Sequence, residues 1–508
     1  MSPMIYISLV VLYVFVMLAI GFWCMQRTRN VGDFFLGGRT LGPWMSAFAY
    51  GTTYFSAVLF IGYAGRLGWG FGIQTMWIVI GNTFVGTFLA WYLLAARTRD
   101  MTARLNALTM PAFLRARYNS APLQVISAVI IFVFLVPYSA SVYMGLSYLF
   151  QRTLGLQYNE ALVFLAALTG VYLVMGGYLA VAVSDFIRGI VEVLGVVTMV
   201  LLLASMKGGL HASFTALIDP QYMPAFHALP SPTGPPFPGW VVFVSLVLIT
   251  SFGPWALPQM VQKFYSIRSR SDVKRAMTIA TVFALFMSFG AYYSGALTHL
   301  FFTDPKTDLA PIADAVTHKP NLDLLMPFFI TSFVPQWLVL VILLMVFSAS
   351  MSSLSSLVLV SSSAIAMDIY GAFGNREKKS KSTMALMRVL CAVFVLLSLL
   401  IAVSKVDVIV NLMVIAWGAL SGAFLAPYLY GLFWRRATKT GAYAGMISGV
   451  GTAVVLFFLW GKPLIPVAGA IAMFLPLIVV PVVSLMTKPP EPNILAAAFG
   501  DKPRDAKF

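Results

Sequence analysis

Stretches of about twenty consecutive apolar residues recur along this chain, at approximately 4–25, 43–64, 71–95, 122–150, 159–181, 185–206, 240–264, 276–302, 328–370, 386–404, 407–433, 441–460 and 464–486. Each is long enough to cross the hydrocarbon core of a bilayer as a helix. In hydrocarbon the backbone must satisfy its own hydrogen bonds, and an apolar run of this length does so as an α-helix. The expected fold class is therefore all-α, a polytopic membrane protein of about 13 transmembrane helices. The first stretch has no basic residues ahead of it and is followed by Arg27 and Arg29 rather than a cleavage site, so it is expected to be retained as an anchor.

The formal net charge of +16 would suggest a nucleic-acid partner in a soluble protein. Here the cations sort by side. Loops after odd-numbered spans, with Arg188, hold 26 of the 33 Lys and Arg; Arg66, Arg152, Lys207, Lys306, Lys319, Lys405 and Lys462 fall on the other side. Basic residues mark the cytoplasmic side. The N-terminus is thus expected outside and the C-terminus in the cytoplasm of a bacterial inner membrane, with no nucleic-acid partner. Cys24 and Cys391 lie within apolar spans, and His211, His227, His299 and His318 form no metal-binding spacing. Neither a disulfide framework nor metal-dependent catalysis is supported, and no enzyme is expected.

Two spans are interrupted at similar depths. The second meets Gly51-Thr52-Thr53 and the seventh meets Gly253-Pro254, with Pro258 following. Such breaks free carbonyls from the helix ladder, and those groups must find protein, water or an ion. Paired breaks five spans apart on helices of opposite direction are what an inverted five-plus-five repeat places at its midplane site; helix kinks made only for packing are the alternative. The expected divisions are 1–42, an extra N-terminal helix and cytoplasmic loop; 43–206, the first five-helix repeat; 207–239, an external loop; 240–434, the second repeat; 435–487, two C-terminal helices; and 488–508, a disordered cytoplasmic tail. Gly374 to Ser382 reads as a solvated hinge.

The ninth span holds nine serines between 348 and 363. At 100° per residue, Ala349, Ser352, Ser353 and Ser356 share one face with Ser355 on its flank. Such a face either packs helices closely through small side chains or coordinates a hard cation together with freed carbonyls. Asp185 and Glu192 lie in apolar helix, where an ionisable group faces a cavity, an ion or a partner. For Asp185 the competing reading is a structural contact with Arg188, three residues on; for Glu192, helix packing.

Phe34-Phe35-Leu36-Gly37-Gly38-Arg39-Thr40-Leu41-Gly42-Pro43, Gly176-Gly177-Tyr178-Leu179-Ala180-Val181 running to Ser184-Asp185, and Ser348 through Ser356 together resemble the sodium:solute symporter family, over nearly the whole chain and with the proline and pantothenate branch most similar. The resemblance implies a LeuT-like fold and sodium-coupled import of a small organic solute, an amino acid, a carboxylate or a related compound. It implies a central sodium site at the carbonyls of Thr52, Phe55 and Ala349 and the hydroxyls of Ser352 and Ser353. A second sodium, bound by some sialic acid members, would fall on Asp185, Ser352, Ser355 and Ser356, so two ions per cycle are expected. Arg39 matches an arginine near the family's inner gate. Tyr54 stands where proline-type members have an acid, so proline itself does not follow.

The expected solute cavity draws on Tyr54, Ser56, Gln74, Tyr138, Tyr143, Trp255, Gln259 and Trp417. The expected partners are the solute, sodium and the bilayer, with the chain a monomer. Two alternatives are a proton-coupled symporter of the same fold, with Asp185 as the titrating group, and a sodium-coupled sugar or sialic acid transporter.

Overall fold

A computed structural model describes residues 3–25, 37–227, 237–314, 318–370 and 380–500. The proline-rich segment around 228–236, the hinge expected from Gly374 to Ser382 for all but its last residues, and the tail from 501 onward lie outside the described residues. Among the described residues the regular structure is helical, without strands.

In chain order the main elements are α1 (Pro3–Met25), α2 (Pro43–Tyr54), α3 (58–71), α4 (76–104), α5 (Met110–Tyr118), α6 (Ala121–Leu154), α7 (Tyr158–Ser205), α8 (Leu210–Ile218), α9 (Gly239–Phe252), α10 (Pro258–Ser266) and α11 (Arg270–Phe301). There follow α12 (Leu325–Phe333), α13 (Gln336–Ser363), α14 (Ser380–Ser404), α15 (Ile409–Phe433), α16 (Lys439–Trp460), α17 (Ile465–Phe474), α18 (Pro476–Met486) and α19 (Pro492–Phe499). Ten helical runs among the described residues are long and apolar enough to cross a membrane, against thirteen expected. One of the ten, Val58–Arg104, joins parts of the second and third expected spans, although helical geometry is interrupted at Gly72, whose φ of +56° lies in the left-handed region that glycine enters without strain.

The fifth and sixth expected spans are also continuous, as the 48-residue α7. Straight, it would be about 72 Å long and its ends would lie far apart. Instead Arg152, just before it, covers the Phe328 ring, and Lys207, just after it, covers the Phe301 ring of the same aromatic cluster. Phe302 joins these two rings' neighbourhoods, stacking on Phe328 at 5.7 Å. The two ends of the segment therefore lie near one aromatic cluster, so it does not run as one straight rod.

Charges separate onto two faces as the loop alternation requires. One face gathers Arg39, Arg99, Asp100, Arg104, Arg270 and Arg436; it is called the basic face below. The other carries Arg66–Asp323 and Lys462–Asp407 pairs and the Lys405 ammonium over Tyr158. Helices meet closely where glycines face each other. A Cβ on Gly68 would stand 2.3 Å from the Gly295 carbonyl carbon, and one on Gly449 would stand 2.1 Å from the Gly422 oxygen, so small residues set the crossing distances of α3 with α11 and of α15 with α16.

The tail corrects one expectation. Residues 492–499, read as disordered, form α19, docked on the basic face: the Ala498 carbonyl accepts from Arg104, and the Phe499 ring lies beneath Arg117 and Arg435. Its apolar residues find a partner there that composition does not reveal.

Candidate functional site

Both expected helix breaks exist. α2 ends at Tyr54, and Phe55 takes up extended backbone (φ −107°, ψ 122°). The break lies a turn beyond Gly51, at Phe55–Ser56. Three amides that would continue the ladder are diverted: Ala57 N donates to Ser350 Oγ at 3.3 Å, Val58 N to Ser56 Oγ at 3.2 Å and Leu59 N to Ser56 O at 2.9 Å. The carbonyls of Thr53, Tyr54 and Phe55 thereby lose their i+4 donors. The seventh span breaks at Gly253–Trp255, a tight turn followed by extended Leu257, and resumes at Pro258. A hydrogen bond from Tyr54 Oη to Thr250 O joins the two broken helices directly.

The serine face of α13 meets the first break. Ser353 Oγ donates towards the carbonyls of Thr52 at 3.3 Å and Thr53 at 3.2 Å, and Ser352 Oγ donates to Thr52 Oγ1 at 2.9 Å. Ala349 is buried one turn away on the same face. The site is a set of neutral oxygens without water exposure, the donor chemistry suited to a monovalent hard cation. No cluster of three or more His, Cys, Asp or Glu that could hold a metal ion occurs among the described residues.

The residues expected for a second ion lie one turn towards the basic face. Asp185 is fully buried, with Arg188 Nη1 at 3.6 Å from Oδ1, the contact that competed with ion binding in the sequence, and Lys263 Nζ at 3.9 Å from Oδ2. Lys263 also donates to Ser356 Oγ at 3.1 Å, and Ser356 lies 3.1 Å from Thr53 Oγ1. Ser355 donates to its own helix at Met351 O. Lys263 was not singled out by sequence; the signal available was its place inside the apolar run 240–264.

A small cavity of about 20 Å³ sits at the two breaks, lined by Tyr54, Phe55, Ser56, Val58, Leu59, Tyr63, Asn82, Thr250, Tyr292, Met413 and Trp417. Of the expected solute residues, Tyr54, Ser56 and Trp417 line it, and Tyr138 adjoins through an edge contact with Trp417 at 5.9 Å. The other four lie elsewhere. Gln74 donates to Pro224 O in the loop after α8, and Trp255 Nε1 donates to Val85 O, tying the second break to α4. Gln259 lies on α10, beyond the break. Tyr143 is five residues from Tyr138 on α6, about 140° around the helix. Asn82, Tyr63 and Tyr292 were missed because uncharged polar groups in apolar helices carry no periodic signature.

One turn from the small cavity, Leu67, Leu246 and Val410 open into a cavity of about 1000 Å³ at the face of Asp323. Burial raises the Asp323 carboxyl above its ordinary range, while Arg66 and the Ile409 N–H act in the opposite direction. The basic side is shut. Arg39 donates to Thr102 Oγ1, to the carbonyls of Thr102 and Ala107 at 3.2 and 2.9 Å and to Tyr265 O, and Leu41 pairs with Ile267.

Several known proteins resemble this chain. The osmoregulated proline transporter OpuE of Bacillus subtilis (strain 168) is 28% identical over 90% of this chain and 89% of its own length. A sodium/proline symporter of Staphylococcus aureus (strain NCTC 8325 / PS 47) is 28% identical over 95% and 93%. Among solved structures, a Na+-coupled sialic acid symporter in a substrate-bound outward-open state superposes with a TM-score of 0.77 at 18% identity, covering 96% of this chain and 98% of that one. Mhp1, a nucleobase-cation-symport-1 family transporter, superposes with a TM-score of 0.51 at 14% identity over 93% and 99%. The family model for sodium:solute symporters matches residues 34–449. With a broken α2 meeting the serine face of α13 at a cluster of neutral oxygens and that match spanning most of its length, the chain belongs to the sodium:solute symporter family, whose members are transporters rather than enzymes.

Proposed function

We propose that this protein imports a small organic solute by coupling it to sodium at the meeting of α2 and α13. The observation that carries this is the bridge from Ser353 Oγ to the carbonyls of Thr52 and Thr53, which brings a freed backbone and a hydroxyl face to one point. Sodium would bind among Thr52, Phe55, Ala349, Ser352 and Ser353 and hold α2 against α13. The solute would descend the wide cavity at the Asp323 face, lodge among Tyr54, Ser56, Tyr138 and Trp417, and leave through the basic face once Arg39 releases Thr102 and Tyr265.

On this reading the Asp323 face is external, the basic face and C-terminus are cytoplasmic, and the N-terminus is outside. The thirteen-span, five-plus-five organisation and a monomeric state are part of the same proposal. A tenfold sodium gradient contributes about 1.4 kcal/mol per ion, and 100 mV adds about 2.3 kcal/mol per charge. A single ion thus supports roughly 500-fold accumulation of a neutral solute, which follows from that sum of about 3.7 kcal/mol. The named relatives point to amino acids, and Tyr54 separates this chain from proline-type members.

The test is uptake into proteoliposomes under an inward sodium gradient, screened across proline, other amino acids, carboxylates, sugars and sialic acid. Uptake that requires sodium and survives a protonophore supports the reading. Uptake that persists without sodium and collapses with a protonophore assigns the coupling to protons instead.

A further inference from the structure

We propose that the Lys263 ammonium permanently fills the position of the second coupling cation, so that this protein binds and moves one sodium ion per cycle. The inference rests on the sodium-coupled reading and sharpens it.

Four residues were expected to hold a second ion, and each already faces a partner in the fold. Lys263 Nζ lies 3.1 Å from Ser356 Oγ and 3.9 Å from Asp185 Oδ2, which seats it between the two strongest of those ligands. Ser355 Oγ donates to Met351 O at 2.6 Å, and Ser352 Oγ donates to Thr52 at the central site. An ion attracted to Ser356 and Asp185 would meet the ammonium already there. Lys263, Asp185 and Ser356 are all at most 1% exposed, and like charges at contact distance away from water repel strongly.

The charge balance points the same way. Arg188 faces the other Asp185 oxygen at 3.6 Å, and Glu192 follows Arg188 by one helical turn and is fully buried. Against the single Asp185 carboxylate already stand one guanidinium and one ammonium; a sodium ion would add a third positive charge in a medium that disfavours unpaired charge. A tethered ammonium also holds its place against free ions through its high effective concentration. Lys263 stands on α10, the half-helix beyond the second break, while Asp185 is on α7 and Ser356 on α13. It therefore links three elements where a second sodium would otherwise do so, without being released to the cytoplasm.

The experiment is equilibrium binding of radioactive sodium to the purified full-length protein, counting ions per chain and the Hill coefficient. The expected result is one ion and a coefficient near one for the wild type and for Lys263→Arg, and a second ion with a coefficient rising towards two for Lys263→Met. Two ions on the wild type overturn the inference and leave sodium coupling standing. A folded Lys263→Met that still binds one ion overturns the role given to Lys263. Should that variant elute as aggregate, the wild-type count decides. No saturable sodium binding to the wild type overturns the coupling reading and this inference together.

Discussion

Ser353 Oγ lies 3.3 Å from Thr52 O across 301 residues of sequence, and the hydroxyl points at a carbonyl in the last turn of α2, beside the break at Phe55. Ser353→Ala removes one of the few oxygens available to an ion there. The expected outcome is a rise of at least tenfold in the sodium concentration for half-maximal uptake, corresponding to about 1.4 kcal/mol or more, with the protein present in the membrane at wild-type level. Ser352→Ala should act in the same direction, since it loses the bond to Thr52 Oγ1.

Closure at the basic face rests on Arg39, with its bonds to Thr102, Ala107 and Tyr265, and on the Leu41–Ile267 pairing. A disulfide formed between Leu41→Cys and Ile267→Cys should abolish uptake and release it again with reductant, because the exit can no longer part. Arg39→Ala should do the reverse to the gate, raising solute efflux from loaded proteoliposomes several-fold. Unchanged efflux would place the gate elsewhere.

Gly295 faces Ala64 so closely that a Cβ there would stand 2.0 Å from the Ala64 carbonyl oxygen. Backbone cannot yield as a side-chain tip can. Gly295→Ala should therefore cost about 2 kcal/mol or more, measured as a lowered melting temperature of the detergent-solubilised protein. Gly451→Ala, where nothing lies within 4 Å, serves as the neutral control.

At the opposite face, Asp323 is held by Arg66 at 3.4 Å and by the Ile409 N–H at 3.1 Å. Its carboxyl is raised chiefly by burial, so the folded protein binds this proton more tightly than the unfolded chain. Stability contributed by the protonated form is present below the ordinary carboxylate range and is lost as pH rises through the folded value. The melting temperature of the wild type should consequently fall relative to Asp323→Asn as pH is raised across that window. A difference that stays constant with pH, or that moves the other way, contradicts the assignment.

Trp417 packs against Gly253 at the second break and touches both Tyr54 and Tyr138. Trp417→Ala should weaken solute uptake by tenfold or more in its half-saturating concentration while leaving radioactive sodium binding within about twofold of wild type, since no sodium ligand belongs to α15.

What the chain alone determined is set by local and one-dimensional properties. Apolar runs of bilayer length, alternation of basic loops, and glycine or proline inside a span each act on their own neighbours, so membrane class, the two sides and the two broken helices were readable residue by residue. The three motifs added the family. The tertiary structure decided which groups meet. Thr52 and Ser353 face each other only because α2 ends at Tyr54 and α13 crosses it there, a matter of close packing between helices distant in sequence. Gln74 and Trp255 had the right chemistry but bond to Pro224 and Val85, and Tyr143 and Gln259 do not line the cavity, because helix rotation is fixed by contacts with neighbours. Lys263 stands near the end of an apolar run and carries no local sign of a site. Its burial beside Asp185 and Ser356 became visible only when three helices were packed together, since desolvation and charge pairing belong to the assembled fold.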